Sequence, residues 1–332
     1  MKRGNIAIFV PHCGCPNDCS FCNQRTISGT VKAPTAEEVK RICDEALERS
    51  TIAAESAQIA FFGGSFTAIE RELMVALLEA AYQYVADGRV SGIRVSTRPD
   101  AIDSDVLDIL KKYGVESIEL GIQSMRDEVL VRNRRGHNSQ QVKEAAGLIK
   151  EFGFEFGAQM MTGLYGDDDE GAEYTAGEIL KLGPDTVRIY PTVVLKGTEL
   201  ERLMRCGLYL PKDAYESVGL CARLIRKFEE AGVRVIRVGL HASENIESEM
   251  VGGAYHPAFR ELCEGELMKG EILDSLKCRG QGDYTVLVNP KDISKAVGQG
   301  KRNINELKKL GYNVTIKGNE KVGRGAAEIQ EG

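Results

Sequence analysis

Seven short apolar runs recur along this chain: NIAIFVPH (5–12), AQIAFFGG (57–64), GIRVSTRP (92–99), SIELGIQS (117–124), FEFGAQMMTG (154–163), TVRIYPTVV (186–194) and VRVIRVGLH (233–241). Between them lie segments with apolar residues at helical spacing, such as 36–47, 71–85 and 139–153. Strands alternating with helices of that length mean parallel βα units. Six or seven such units curve into a partial or full parallel (β/α) barrel, an α/β fold whose chemistry belongs at the C-terminal ends of the strands. The unusual words stand there: a cysteine loop after the first run, Gly63-Gly64-Ser65-Phe66-Thr67 after the second, Thr97-Arg98-Pro99-Asp100 after the third, then Gln123-Ser124, Thr162-Gly163 and Tyr190-Pro191-Thr192. With 332 residues, 42% hydrophobic, the chain suits one large domain and a small one.

The loop PHCGCPNDCSFCNQ (11–24) holds four of the nine cysteines. The N-terminus lacks an apolar stretch long enough for a signal peptide, and no window approaches the roughly 20 apolar residues of a membrane span. The expected compartment is therefore the cytoplasm, where structural disulfides are rare and clustered cysteines indicate metal or redox chemistry. Zinc normally takes two cysteine pairs across a loop. Cys19 and Cys22 form one such pair, but Cys43, Cys206, Cys221, Cys263 and Cys278 lie singly. Cys13 and Cys15 would have to complete the site locally, and in an extended chain their thiols point opposite ways. Cys15-x3-Cys19-x2-Cys22 instead wraps three thiolates around an iron–sulfur cubane and leaves one iron without a protein ligand. Cys13, outside that spacing, reads as a small packed residue.

This spacing, with Phe21 before the last cysteine, resembles the radical S-adenosylmethionine (SAM) superfamily. The resemblance implies a [4Fe–4S] cluster held by Cys15, Cys19 and Cys22, whose open iron chelates SAM and cleaves it to a 5′-deoxyadenosyl radical. It also implies an external electron donor such as flavodoxin or ferredoxin. Gly63-Gly64-Ser65 matches the superfamily's Gly-Gly-Glu motif, which receives the methionine amino group, with Ser65 in place of Glu. A tight turn would equally use the two glycines.

The words STRPD (96–100), ELGIQS (119–124), RRGHN (134–138), MMTGLYG (160–166) and RIYPTVVLKGTEL (188–200) resemble, in order, the radical domain of the Elongator catalytic subunit and its short bacterial relatives. Anaerobic coproporphyrinogen oxidases share a weaker version. The resemblance implies that Arg135 meets the SAM carboxylate, a bidentate task that suits guanidinium. It brings Gln123 toward the cofactor and Gln159 toward the ribose; Ser96 replaces a Glu that makes a ribose contact in several relatives. Tyr190 and Lys196 fall on the substrate side, to orient substrate or relay a proton. His137, His241 and His256 are further candidates. The Elongator family has a longer cysteine loop and continues into an acetyltransferase domain. These 332 residues hold neither, so its carboxymethyl chemistry is not expected to transfer intact.

The net charge is −6, yet residues 285–325 carry nine Lys or Arg against three Asp or Glu, about +6 against −12 elsewhere. A basic segment on an acidic body indicates a local polyanion site. KAVGQGKRNINELKKLGY (295–312) resembles the single-stranded RNA-binding KH domain, which clamps backbone with a Gly-x-x-Gly turn between helices. Gly298 keeps the first glycine, Gly300 shifts the second, and Lys301 and Arg302 supply phosphate charge. The expected organisation is a radical SAM barrel over 1–280 and a small α+β KH-like domain over 283–332. The expected function is RNA modification, with transfer RNA as substrate. Its rivals are a radical enzyme for a small molecule such as a tetrapyrrole, and an RNA-binding iron–sulfur sensor without catalysis.

Overall fold

A computed structural model describes residues 4–11, 19–23, 32–49, 53–241 and 244–330. The seven apolar runs all become strands of one sheet. β1 (Gly4–Val10), β2 (Ala57–Gly63), β3 (Gly92–Thr97), β4 (Val115–Gln123), β5 (Glu155–Thr162) and β6 (Thr186–Pro191) follow one another in space as in sequence. After a three-residue β7 (Val193–Leu195), β8 (Arg234–Val238) completes the order beside β6. Every neighbouring pair is parallel, and the sheet is a curled half-barrel with β1 and β8 at its edges.

The crossovers are helical, as right-handed βαβ connections require. They are α1 (Ala36–Arg49), α2 (Arg71–Ala86), α3 (Ser104–Lys112), α4 (Asp127–Arg132), α5 (Ser139–Glu151), α6 (Asp169–Leu182), α7 (Glu199–Arg205) and α8 (Ala214–Glu230). Their starts are written in the sequence. Asp103 accepts from Val106 N (2.7 Å) and Asp168 from Gly171 N (2.7 Å), while Asn138–Gln141 and Asp213–Glu216 form capping boxes. The outward strand residues Ile8, Ile59, Val95, Leu120, Phe156 and Ile189 pack with Val39, Leu77, Leu107, Val142 and Leu224 from the helices. The inner face carries Arg94, Glu119, Gln159, Arg188 and Arg237 instead, so the half-barrel is polar inside.

β7 pairs antiparallel with β9 (Met250–Gly253), which follows α9 (Glu244–Glu249). Val194, Leu200, Leu203 and Tyr209 gather around this pair with Phe21 against them, an apolar cap beside the cysteine segment. Its three-residue strand is too short to leave a periodic pattern in sequence.

α10 (Phe259–Leu276) leads into β10 (Gly282–Val288), α11 (Ile293–Val297), α12 (Arg302–Lys309), β11 (Tyr312–Gly318) and β12 (Ala327–Ile329). These elements form a strand–helix–turn–helix–strand succession, with β10 and β11 parallel and β12 added antiparallel on the other side of β10. α10 serves two cores. Phe259, Leu262 and Cys263 belong to that of the half-barrel, whereas Met268, Ile272 and Leu276 pack with Val286, Val288, Ala296, Leu307 and Val314. Among the described residues no helix is long and apolar enough to cross a membrane.

The double use of α10 has a measurable consequence. Ile272→Ala, at a fully buried position of the C-terminal core, is expected to lower stability by about 2–5 kcal/mol. Denaturant unfolding monitored by circular dichroism checks it, and the loss should register in the main transition rather than in a separate early one.

Candidate functional site

A cavity of about 450 Å³ opens at the C-terminal ends of the strands. Its volume lies in the range of small-molecule and cofactor sites. Lining it are Cys19, Cys22, Gly63, Gly64, Ser65, Ser96, Gln123, Arg135, Gln159 and Tyr190, ten of the residues singled out in the sequence. Cys15 and Cys13 lie outside the described residues. Lys196 does not line the cavity: its ammonium donates to Ser248 O (2.9 Å) and stands 3.6 Å from Glu249. It follows β7, which turns away to pair with β9 and carries Lys196 with it. Gly298, Gly300, Lys301 and Arg302 are also remote from the cavity lining, in the turn before α12.

Both ends of the cysteine loop are anchored by protein. At the entry, Gly64 N donates to Val10 O (2.7 Å). A Cβ on Gly63, whose φ is +106°, would stand 2.7 Å from Val10 O, and one on Gly64 3.0 Å from Pro11 O. Glycine is therefore demanded here by the close approach of two backbones as well as by any ligand. At the exit, Ser20 is fully buried; its Oγ donates to Asn133 Oδ1 (2.6 Å) and its N to Asn133 O (3.1 Å). Asn133 Nδ2 donates in turn to Val129 O and Tyr165 O, and Leu200 N donates to Ser20 O (2.9 Å). Cys22 N closes a turn onto Cys19 O (3.0 Å), which turns Cys19 and Cys22 to the same wall.

Arg135 stands beside this turn. Its Nη2 donates to Gly121 O (2.6 Å) and its Nη1 approaches Cys19 Sγ at 3.5 Å, with the guanidinium over the Phe21 ring. The guanidinium thus places positive charge at the cysteine wall of the cavity. Gln123 takes a left-handed conformation (φ 67°) where the β4–β5 register shifts. Its side chain is buried with Oε1 lacking a partner among the described residues. Such a buried acceptor at a cavity wall suits a donor on a bound ligand. Ser65 is otherwise committed: its Oγ accepts from Arg98 N (2.9 Å) and bonds Thr97 Oγ1 (2.9 Å). The STRPD word thus ties β2 to β3, and Arg98 closes a fork on Asp100.

Below these groups runs a buried ion cluster that motif reading missed. Glu119 takes Arg94 Nη1 at 2.8 Å and Arg188 twice, at 2.6 and 2.9 Å. Arg188 Nη1 also reaches Tyr190 Oη (3.4 Å) and its guanidinium lies over Phe62. The signal was a charged residue inside an apolar run, in IEL, IRV and VRI, where a parallel strand is normally apolar on both faces.

Of the three candidate histidines, His241 lines the cavity and stacks near Phe9, with ring centroids 6.5 Å apart. His256 accepts from Ala258 N, a local cap. His137 is buried behind Arg135 with Nε2 3.2 Å from Ile122 O. Burial, and then the Arg135 charge, push its pKa down to about 4. The folded protein thus keeps His137 neutral where the unfolded chain protonates it near pH 6.5. The stability contributed by the neutral ring is present above pH 6.5 and is lost as pH falls toward 4, by at most about 3 kcal/mol. His137→Gln should flatten the decline of the thermal midpoint between pH 6.5 and 4.5. Asn133→Ala should strand the Ser20 hydroxyl and Tyr165 O, while Val129 O keeps the backbone N of residue 133, at about 1–3 kcal/mol per buried group left unpaired. It should also speed alkylation of Cys19, read by mass spectrometry.

The residues at this site fit a cluster and an amino-acid-bearing cofactor: two thiols on one wall, a guanidinium beside them, an unpartnered amide oxygen and a close-packed glycine pair. Comparison with known proteins agrees. The profile of the Radical SAM superfamily matches residues 9–179, and that of the Radical_SAM C-terminal domain matches 184–269. A protein named tRNA uridine(34) acetyltransferase from Methanocaldococcus jannaschii is 32% identical over 136 residues, 40% of this chain and 25% of that protein. Elongator complex protein 3 of Saccharomyces cerevisiae is 33% identical over 139 residues, again 40% and 25%. The chain thus spans about a quarter of the length of these relatives. The solved structure of Methanocaldococcus infernus Elp3 with its N-terminus deleted superposes with a TM-score of 0.66 at 20% identity, over 81% of this chain and 64% of that one, and so shares the fold. Matched over more than half its length, the chain belongs to the radical SAM superfamily, whose enzymes use a [4Fe–4S] cluster and SAM.

Proposed function

We propose that this protein is a radical SAM enzyme that modifies transfer RNA. The observation that carries the reading is the convergence of Cys19, Cys22, Arg135 and Gln123 on one cavity, in a chain that resembles a tRNA uridine(34) acetyltransferase. When bound, the cluster and SAM supply a 5′-deoxyadenosyl radical, with the electron from a donor such as flavodoxin or ferredoxin. Cys15, Cys19 and Cys22 would ligate the cluster. Arg135 would meet the cofactor carboxylate, and Gln123 Oε1 would accept from its donors. Gly63 and Gly64 would let the methionine end lie against bare backbone, with Ser96 and Gln159 toward the ribose. Tyr190, oriented by Arg188, faces the cavity as a substrate-positioning group. Lys196, held at Ser248, has no role in this reading.

The 298–302 turn is the proposed RNA contact. Gly298 and Gly300 both have positive φ, and so does Lys301 (62°), a cost a non-glycine residue seldom bears. Arg302 is engaged by Glu306 and stacks over Tyr215, while Lys295 and Arg324 pair with Asp292. The exposed Lys291, Lys301, Lys308, Lys309, Lys317 and Lys321 have no carboxylate partner among the described residues, so they carry the available phosphate charge.

The test is release of 5′-deoxyadenosine by the anaerobically reconstituted, reduced protein, with and without bulk transfer RNA and with Cys19→Ala as blank. Stimulation by RNA is the expected outcome. Release indifferent to RNA transfers the activity to a small molecule, and no release leaves an iron–sulfur sensor. Lys301→Glu with Lys309→Glu should weaken transfer RNA binding and flatten its salt dependence. Point changes are preferred to removal of residues 283–332, which would uncover Met268, Ile272 and Leu276 of α10.

A further inference from the structure

The inner face of the half-barrel holds more positive than negative charge at the level of the cavity. Arg94 and Arg188 share Glu119, and Glu155, nearer the N-terminal edge, is shared by Arg94 and Arg234. Arg237 is the exception. It lines the cavity from β8, half-buried and in register with Arg188 of β6, and no carboxylate stands within 4.0 Å of it among the described residues. Its Nε donates to Gly239 O (3.2 Å), which leaves the two terminal nitrogens of the fork without a partner among those residues. A half-buried guanidinium with no counter-charge favours an anion in front of it.

Two further polar groups share this wall. Tyr190 Oη accepts from Arg188, so its own proton is available to donate. His241 borders the cavity with Phe9 and Leu240, which supply apolar surface next to the charge. Burial, and then the Arg237 charge, disfavour protonation of His241, so it offers a neutral ring there. The wall is distinct from the one that bears Gly63, Gln123 and Arg135: those residues come from β2, β4 and the segment after α4, whereas Arg237 stands on the far edge strand.

We propose that this wall is a second anion subsite, in which Arg237, with Tyr190 and His241 beside it, takes a phosphate group of the nucleotide substrate. The proposal rests on the transfer RNA reading above. A carboxylate presents two oxygens in one plane, which a single guanidinium fork satisfies. Phosphate carries a third oxygen out of that plane, and Tyr190 and His241 offer it a donor, with Phe9 and Leu240 beside them as a surface for a ring.

The test is calorimetric titration of the anaerobically reconstituted, SAM-loaded protein with uridine 5′-monophosphate, uridine 3′-monophosphate, uridine and succinate. Either monophosphate should bind at least about tenfold more tightly than uridine. That advantage should disappear in Arg237→Gln and return in part in Arg237→Lys, with circular dichroism confirming that both variants are folded. If Arg237→Gln does not fold, competition of inorganic phosphate with the monophosphates in the wild-type protein decides the point. No preference for the monophosphates in the wild type, or a preference that survives Arg237→Gln, overturns the subsite. Binding of succinate but not of the monophosphates overturns the phosphate assignment. The two proposals fail separately. Arg237-dependent monophosphate binding without stimulation of 5′-deoxyadenosine release by transfer RNA leaves the subsite and removes the RNA reading. Equal stimulation of wild type and Arg237→Gln, with no phosphate preference, does the reverse.

Discussion

Glu119 holds two guanidinium groups in the interior of the sheet, and much of the molecule follows from that one carboxylate. It is 2% exposed, and an isolated charge so placed would be prohibitively costly without full pairing. Arg94 and Arg188 provide the pairing from β3 and β6, so strands on either side of β4 are held to a common inner level. Charged side chains at this level also prevent the closed apolar plug that fills an ordinary (β/α) barrel. The sheet remains an open half-barrel with a polar floor, and the space above it becomes the cavity.

The cavity is prepared before any ligand enters. Gly63 and Gly64 clasp the chain where it leaves β1, and Ser20, Asn133 and Leu200 clasp it where it returns. Cys19 and Cys22 stand at the second clasp, on the wall of the cavity. Arg135 adds charge at the same spot and is itself oriented by Gly121 O. The geometry thus depends on backbone approach and buried polar pairs drawn from β2, α4 and α7.

Much of this was legible in the sequence. The strands showed themselves because each is an apolar run between helical patterns, and the site showed itself because odd words cluster at strand ends. Gly63 could be named from the glycine pair after a strand, and Gln123 and Arg135 through the family resemblance of ELGIQS and RRGHN. Lys196 was misplaced because β7, three residues long, leaves no period by which its departure from the sheet could be seen. Glu119, Arg94, Arg188 and Arg237 escaped because motif reading looks at strand ends, whereas their meaning lies in which inner-face neighbours pair across strands. Asn133 was hidden for another reason: its partner Ser20 is 113 residues away. β12 is three residues long and pairs only through β10.

The C-terminal module is joined to the half-barrel through α10 itself. Asn303 reaches Gly265 O and Ser275 reaches Ala327 O, and Lys269 and Lys295 pair across to Glu306 and Glu264. An 18-residue helix is about 27 Å of rigid rod, with each residue turning it by about 100°. The module's bearing relative to the cavity is thus a matter of helical phase. One residue inserted midway along α10 would swing the 298–302 turn to another side of the molecule, whereas a flexible linker would absorb the same insertion unnoticed.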